Sequence, residues 1–218
     1  MIGYPEAILH PSPNFRQGRR AALSHVVIHT TENHGLEGSL DTLTDPYRQL
    51  PNEATGELES ARVSAHYLVD DRGIYQLVSD EDEAWTVGTF NRSTINIEVT
   101  GVADEPSTWS ASTVRYLARL VAWLSSTYGI PLDYQAESTN PDSATPTPPA
   151  EARGFVSHGA LDPRRRHDPG IWFPWPEVKA QAQQILNGAN PASVGGADLR
   201  PLIALLFIAI GIAWSVSK

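Results

Sequence analysis

The side chains that could perform chemistry in this chain are its histidines and carboxylates, because its 218 residues include no cysteine. His29 ends an apolar run typical of a buried strand, His158 follows a second short run, and Asp168 comes ten residues later. Two imidazoles and a carboxylate, with a fourth position left for water, are the ligand set of a catalytic zinc ion. Taken singly, each residue is more often a structural histidine or a turn former than a metal ligand, so this prediction depends on the three lying together.

Glu98 is the carboxylate best placed to assist such a metal. It lies near the end of STINIEVTG, a strand-like run in which apolar and polar residues alternate. A free carboxylate beside metal-bound water can act as a general base, although a carboxylate on an alternating strand is more often solvated. A glycosidase is disfavoured because that chemistry usually needs a second carboxylate. GFVSHG is one residue too long for the nucleophile elbow of a serine hydrolase.

Alternating strand and helix patterns indicate the elements that would position these residues. Strands are predicted over 21–31, 63–70, 73–79, 93–101 and 154–160, and helices over 110–128 and 175–186. This order has no strict repetition. It predicts an α/β fold, with a single domain built on a central mixed β-sheet flanked by helices.

Charge and composition exclude several classes of protein. Sixteen Lys and Arg against twenty-five Asp and Glu give a net charge of −9, so no nucleic-acid partner is predicted. The absence of cysteine excludes a disulfide scaffold, an iron–sulfur cluster and a Cys-ligated zinc site. The N-terminus lacks a basic region followed by an apolar run, so no secretory signal peptide is predicted.

Composition also divides the chain into segments. Residues 1–20 are predicted as an irregular N-terminal extension, 21–187 as the zinc-binding domain with a long Pro/Thr-rich loop at 133–152, and 188–199 as a flexible linker. The uncharged run LIALLFIAIGIAWSV lies within 200–218 and predicts a C-terminal hydrophobic helix. We expect a membrane anchor there, in a virion membrane or bacterial envelope, although a buried or oligomerising helix is the alternative.

Five motifs in a fixed order carry a resemblance to a known family. VVIHTTE is followed by VSAHYLVDDRGIYQLV, AWTVG, NRSTINIEVTG and GFVSHGALDP with RRRHDPG. Over about residues 22–186 this series resembles the type 2 N-acetylmuramoyl-L-alanine amidases, which include cell-wall recycling amidases, phage lysozyme-type amidases and peptidoglycan recognition proteins. The resemblance implies that family's fold and zinc-dependent cleavage of the bond between N-acetylmuramic acid and L-alanine in peptidoglycan.

Matching positions in the family's motifs imply a role for each catalytic residue. The zinc ligands fall on His29, His158 and Asp168, and the catalytic carboxylate falls on Glu98. Arg166 stands where many members carry a lysine directed at the oxyanion. It keeps the positive charge but presents a planar fork in place of an ammonium group.

Substrate-binding positions depart further from the family's pattern. Tyr67, Trp85, Thr86 and Trp172 are the candidates, with core packing as the alternative for the aromatic residues. Thr86 replaces a histidine that contacts substrate in many members, and Asn96 replaces a strand glycine. Two other functions stay open: a peptidoglycan-binding module without activity, and a structural envelope or virion protein.

Overall fold

The computed structural model describes residues 1–52, 54–106, 108–137, 146–147 and 151–188. These residues form a seven-stranded mixed sheet with helices on both faces and two short antiparallel ribbons beside it. The predicted α/β architecture is therefore confirmed for this part of the chain.

The main sheet has the strand order β1-β7-β6-β9-β3-β11-β10, and every neighbouring pair is parallel except β6 with β7. The ribbons pair β2 with β8 and β4 with β5. The strands are β1 Ile8–Leu9, β2 Phe15–Arg16, β3 His25–Thr30, β4 Gln49–Pro51, β5 Leu58–Ser60, β6 Tyr67–Val69, β7 Ile74–Gln76, β8 Glu83–Ala84, β9 Thr94–Val99, β10 Tyr134–Gln135 and β11 Gly154–Ser157. The helices are α1 Leu36–Thr44, α2 Ala111–Tyr128, α3 His158–Leu161 and α4 Trp175–Leu186, with a 3-10 helix at Gly88–Ser93.

One face of the sheet carries the main apolar core, covered by α2 and α4. Ile95 and Ile97 of β9 point into it and are fully buried, as their alternation predicted. α2 begins after Ser110, whose hydroxyl accepts a hydrogen bond from the Thr113 amide. It ends at Gly129, whose φ of 67° is the left-handed conformation that glycine adopts without strain. The predicted helix 110–128 is confirmed to within one residue.

The opposite face is also covered, and it carries the polar residues of the central strands. α1 packs its leucines against Leu68 and Leu77, and α3 packs Leu161 against β3 and β11. Asn96 of β9 is fully buried on this face, whereas Glu98 is half-buried. Glu98, for which a solvated strand face is the alternative, is therefore only partly exposed.

Residues 1–20, for which an irregular extension is predicted, contain two short strands. β1 pairs with β7 and β2 pairs with β8. The Arg19 guanidinium donates to the backbone carbonyls of Asp80 and Thr94 and lies 2.9 Å from Nε2 of His66. Strands of two residues are too short to show a periodic pattern, so the sequence could not reveal them.

Asp80 is a buried carboxyl group at this junction. The hydroxyls of Tyr67 and Tyr128 each donate to it at 2.8 Å. Burial raises the pKa of Asp80 to about 6, against the opposing effects of the two phenols and Arg19. The folded protein therefore holds this proton more tightly than the unfolded chain does.

We expect Asp80→Asn to change how stability depends on pH. The protonated Asp80 side chain stabilises the folded state. This contribution is fully present below the pKa of about 4 in the unfolded chain and is lost as the pH rises through the folded-state pKa of about 6. Between about pH 4.5 and pH 7, the free energy of unfolding of the wild type should therefore fall by about 2 kcal/mol relative to that of the variant. Urea unfolding of both proteins at the two pH values measures this difference, and parallel pH profiles would contradict it.

Some predicted segments lie outside the described residues. These are the helix 200–218, the linker 188–199 beyond its first residue, and most of the loop 133–152. The described part of that loop contains β10 at its start and a fully buried Ala152 at its end. Across the residues that the structure describes, no helix is both long enough and apolar enough to cross a membrane. The membrane anchor stays a prediction.

Candidate metal centre and active site

The polar residues converge where three neighbouring parallel strands end. The register between β3 and β9 places His29 beside Glu98. His158 follows β11 directly and begins the short helix α3. The hydroxyl of Ser157 caps that helix by accepting from the Ala160 amide at 2.9 Å. Because the carboxyl ends of parallel strands share one edge of a sheet, the three side chains meet there.

Asp168 joins this group from the loop after α3. The Gly159 amide donates to the backbone carbonyl of Asp168 at 2.9 Å, which fixes the loop against the start of α3. Oδ2 of Asp168 lies 3.1 Å from Nδ1 of His29 and 3.1 Å from Nδ1 of His158. The two imidazole nitrogens are also 3.1 Å apart. The structure therefore brings together the three residues that the sequence predicts as metal ligands.

This triangle of atoms fits a divalent cation. Ligand atoms that each lie ~2.0–2.2 Å from a tetrahedral zinc ion are about 3.3–3.6 Å from one another, a little wider than this triangle. A divalent ion between the two imidazole nitrogens and the carboxylate oxygen would also balance the buried negative charge of the carboxylate. Nitrogen and oxygen donors in this ratio suit zinc. All three residues line an open cleft, so water can reach them.

The carboxyl group of Asp168 is held in its ionised form. Burial by itself would raise the pKa of this group, but the adjacent imidazoles of His158 and His29 outweigh burial and hold the pKa well below its usual range. Asp168 is therefore an anion over the whole neutral range, as a metal ligand must be.

Glu98 has the opposite electrostatic character. Burial raises the pKa of Glu98 to about 7, and the nearby charges of His29 and Arg166 oppose this only in part. Its Oε2 atom is buried and has no hydrogen-bond partner among the described residues. A carboxyl group of this kind can take up and release a proton near neutral pH, which is what a general base requires.

A cleft of about 390 Å³ opens over these groups. Besides the three candidate ligands and Glu98, its walls include Glu32, Arg48, Thr86 and Arg166. The cleft therefore combines a candidate metal site, a proton acceptor and two cationic side chains in one accessible space. This combination suits metal-assisted hydrolysis.

The profile of the N-acetylmuramoyl-L-alanine amidase family matches residues 19–171, a range that contains all of these site residues. The chain belongs to this amidase family. The family predicted from the order of the sequence motifs is therefore confirmed.

Individual relatives agree with the family match. The N-acetylmuramoyl-L-alanine amidase A of Achromobacter lyticus is 31% identical over 194 residues, which are 87% of this chain and 98% of that protein. The structure of AmpD, as a selenomethionine derivative, is 24% identical with a TM-score of 0.59, and the match covers 82% of this chain and 95% of AmpD. Escherichia coli AmiD, solved with the substrate anhydro-N-acetylmuramic acid-L-Ala-D-γ-Glu-L-Lys, is 25% identical with a TM-score of 0.51. That match covers 76% of this chain and 60% of AmiD.

Of the four predicted substrate-binding residues, Thr86 lies in the cleft of this amidase and Tyr67 lies in the main core. Thr86 and Arg166 line the cleft. Tyr67 is 0% exposed, because its ring packs in the main core and its hydroxyl is bonded to Asp80. The prediction that Tyr67 binds substrate is therefore wrong, and core packing, the alternative considered for the aromatic residues, is what the structure shows.

The two tryptophans lie outside the cleft lining that the described residues form. The half-buried ring of Trp85 has the Arg62 guanidinium 5.0 Å from its centroid, a cation–π contact. Trp172 is 52% exposed in the loop that follows Asp168. Contact with substrate stays a prediction for both tryptophans.

Asn96 is a residue of this site that the sequence marks only as a departure from the family's glycine. Its Oδ1 atom lies 3.3 Å from Nε2 of His29, the ring nitrogen opposite the ligand atom Nδ1. Asn96 precedes Glu98 by two residues, so strand alternation places the two on one face. Its proximity to His29 depends on the register between β3 and β9, which the sequence does not reveal.

Proposed function

We propose that this amidase hydrolyses the bond between N-acetylmuramic acid and L-alanine of peptidoglycan with a zinc ion held by His29, His158 and Asp168. The observation that carries the proposal is the 3.1 Å triangle of three ligand atoms beside Glu98. Membership of the amidase family supports the reaction, and the muropeptide bound to AmiD supports the class of substrate.

The chemistry divides between the ion and the protein. When bound, zinc polarises the scissile carbonyl group and makes a water molecule more acidic. The Glu98 carboxylate accepts a proton from the attacking water and returns it to the leaving nitrogen of L-alanine. Arg166 supplies positive charge from the cleft wall where the carbonyl oxygen becomes negative. Burial of Glu98 limits competing hydrogen bonds with solvent, which keeps this carboxylate available for the proton.

Arg48 gives this cleft a candidate contact for the acidic stem peptide. The AmiD substrate contains D-γ-Glu, whose α-carboxylate is free. Arg48 lines the cleft, and the backbone carbonyl of Ala61 accepts a hydrogen bond from its guanidinium, which limits its movement. We expect Arg48→Gln to raise KM about 10–100-fold with a smaller change in kcat, because a charge-assisted hydrogen bond contributes about 1.5–3 kcal/mol.

Steady-state kinetics on a soluble muropeptide measures this effect. Arg62→Gln is the matched control, because Arg62 lies over Trp85 and is not among the residues that line the cleft. A fall in kcat at constant KM for Arg48→Gln would show that this residue does not act through substrate binding.

Digestion of purified peptidoglycan by the full chain, followed by mass spectrometry, tests the proposed function. We expect free stem peptides that begin with L-alanine, lost on addition of a chelator and restored by zinc. New reducing sugar ends without free peptides would indicate a glycosidase and exclude the assigned site. Retention of the protein on the polymer without products would indicate a binding module.

A further inference from the structure

Asn96 and His29 form a buried contact between neighbouring strands behind the candidate metal centre. Asn96 is 0% exposed and His29 is 2% exposed. The 3.3 Å contact joins Oδ1 of Asn96 to Nε2 of His29. Nδ1, on the other side of the same imidazole ring, faces His158 and Asp168. The ring is thus held between a polar partner on one side and the ligand triangle on the other.

The orientation of the Asn96 amide follows from a second contact. Its Nδ2 atom donates to Oγ1 of Thr94 at 3.1 Å, and that hydroxyl donates to the backbone carbonyl of Phe90 at 3.2 Å. Since the amide nitrogen is directed at Thr94, the amide oxygen faces His29 and accepts from Nε2–H. A neutral imidazole with its proton on Nε2 has its lone pair on Nδ1.

We propose that Asn96 is a positioning residue that holds His29 in the Nε2-protonated tautomer, with its Nδ1 lone pair directed into the ligand triangle. This inference rests on the zinc site of the proposed function. Hydrogen bonds to the far nitrogen of a metal-bound histidine fix the orientation of its ring, and losing one typically lowers metal affinity 10–100-fold. A glycine at this position, as in the family pattern, has no side chain that could form the contact.

The backbone of Asn96 is held independently of its side chain. Its amide donates to Nδ1 of His66 at 3.0 Å, and its carbonyl accepts from the His66 amide at 2.9 Å. A side-chain substitution therefore leaves the strand anchored to its neighbour. This makes Asn96→Leu, which removes the acceptor at similar size, an informative variant.

Zinc affinity measured by competition with a chelator tests the proposal. We expect Asn96→Leu to raise the zinc Kd about 10–100-fold. Asn96→Asp, which keeps an oxygen acceptor for Nε2–H, should stay within about threefold of the wild type or bind zinc more tightly. Thr94→Val removes only the hydroxyl that orients the amide, so its Kd should lie between those of the wild type and Asn96→Leu.

A matched control separates positioning from general stability. Gln76→Leu removes a buried amide on β7, two strands from β9, where Gln76 is 2% exposed and donates to the carbonyls of Ile2 and Val78. It should lower the midpoint of urea unfolding of the metal-free protein without changing the zinc Kd. The absorption spectrum of the cobalt-loaded protein should change in Asn96→Leu and stay unchanged in Gln76→Leu.

The outcomes distinguish this proposal from the proposed function. If the wild type binds no zinc, the proposed metal centre fails. If the wild type binds zinc and Asn96→Leu binds it equally well, the centre stands and the positioning role is overturned. If Asn96→Leu does not fold, an unchanged zinc Kd in Thr94→Val overturns the role, and a raised Kd supports it.

Discussion

Replacing Glu98 by Gln should lower kcat by about 10²–10⁴-fold while the protein still binds zinc. This is the usual contribution of a positioned general base. The side chain is half-buried beside His29, its Oε2 has no hydrogen-bond partner among the described residues, and the amide has nearly the same size. The substitution therefore removes proton transfer with little change in packing, so KM should change much less than kcat.

The pH dependence of the reaction provides a second test of Glu98. The base must be ionised to accept a proton, so the wild-type rate should fall as the pH drops through the Glu98 pKa. Burial raises this pKa to about 7, and the charge of a bound divalent ion acts in the opposite direction. The acid limb should therefore lie at or below about pH 7, and it should be absent from the residual activity of Glu98→Gln.

Glu32→Gln is the matched control for this prediction. It makes the same change of charge in the same cleft, on an exposed carboxylate that accepts from the Thr30 hydroxyl. Its kcat should stay within tenfold of the wild type. Equal losses in Glu98→Gln and Glu32→Gln would indicate that cleft charge, not proton transfer, controls the rate.

Replacing Asp168 by Ala should abolish activity through loss of the metal. About 10–16 kcal/mol of zinc affinity is shared among four ligands in structural sites. One ligand therefore accounts for about 3 kcal/mol, and its loss should raise the zinc Kd by about 10²–10³-fold. Asp168 also supplies the only negative charge of the ligand triangle that His29 and His158 complete, so its loss should fall at the upper end of this range.

Thermal unfolding with and without zinc measures the loss directly. A ligand that binds only the folded state stabilises it by RT ln(1 + [L]/Kd), so zinc should raise the Tm of the wild type and leave that of Asp168→Ala nearly unchanged. Asp162→Ala is the control from the same loop, because Asp162 pairs with Arg165 and is not a candidate ligand. A full zinc-dependent Tm shift in Asp168→Ala would refute the assigned ligand set.

Local patterns predict the fold well where they are long enough to be periodic. The helix of α2 has both an amphipathic pattern and clear end signals at Ser110 and Gly129. The strand pattern of β9 correctly assigns Ile95 and Ile97 to the core. β1 and β10 could not be predicted, because each has only two paired residues and depends on a partner strand distant in sequence rather than on a periodic pattern of its own.

Prediction of the site from the sequence is limited in the same way, because contacts between side chains also depend on distant partners. The order of the motifs is enough to nominate His29, His158, Asp168 and Glu98, which the structure brings together. The burial of Tyr67 in the core is not predictable in this way, because the sequence does not distinguish an aromatic residue that lines a groove from one that packs in a core. The contact of Asn96 with His29 can be predicted only when the strand register is known, because the two residues are distant in sequence.

The N-terminal strand β1 has a consequence for solubility. Backbone pairing from Ile8 to Ser12 covers the outer edge of β7, yet this segment precedes residue 19, where the match to the family profile begins. A fragment cut at that match would leave β7 with open N–H and C=O groups. An uncovered strand edge can pair with another chain and aggregate. We therefore expect a fragment that begins at residue 19 to self-associate more readily than the full chain, for a reason unrelated to catalysis.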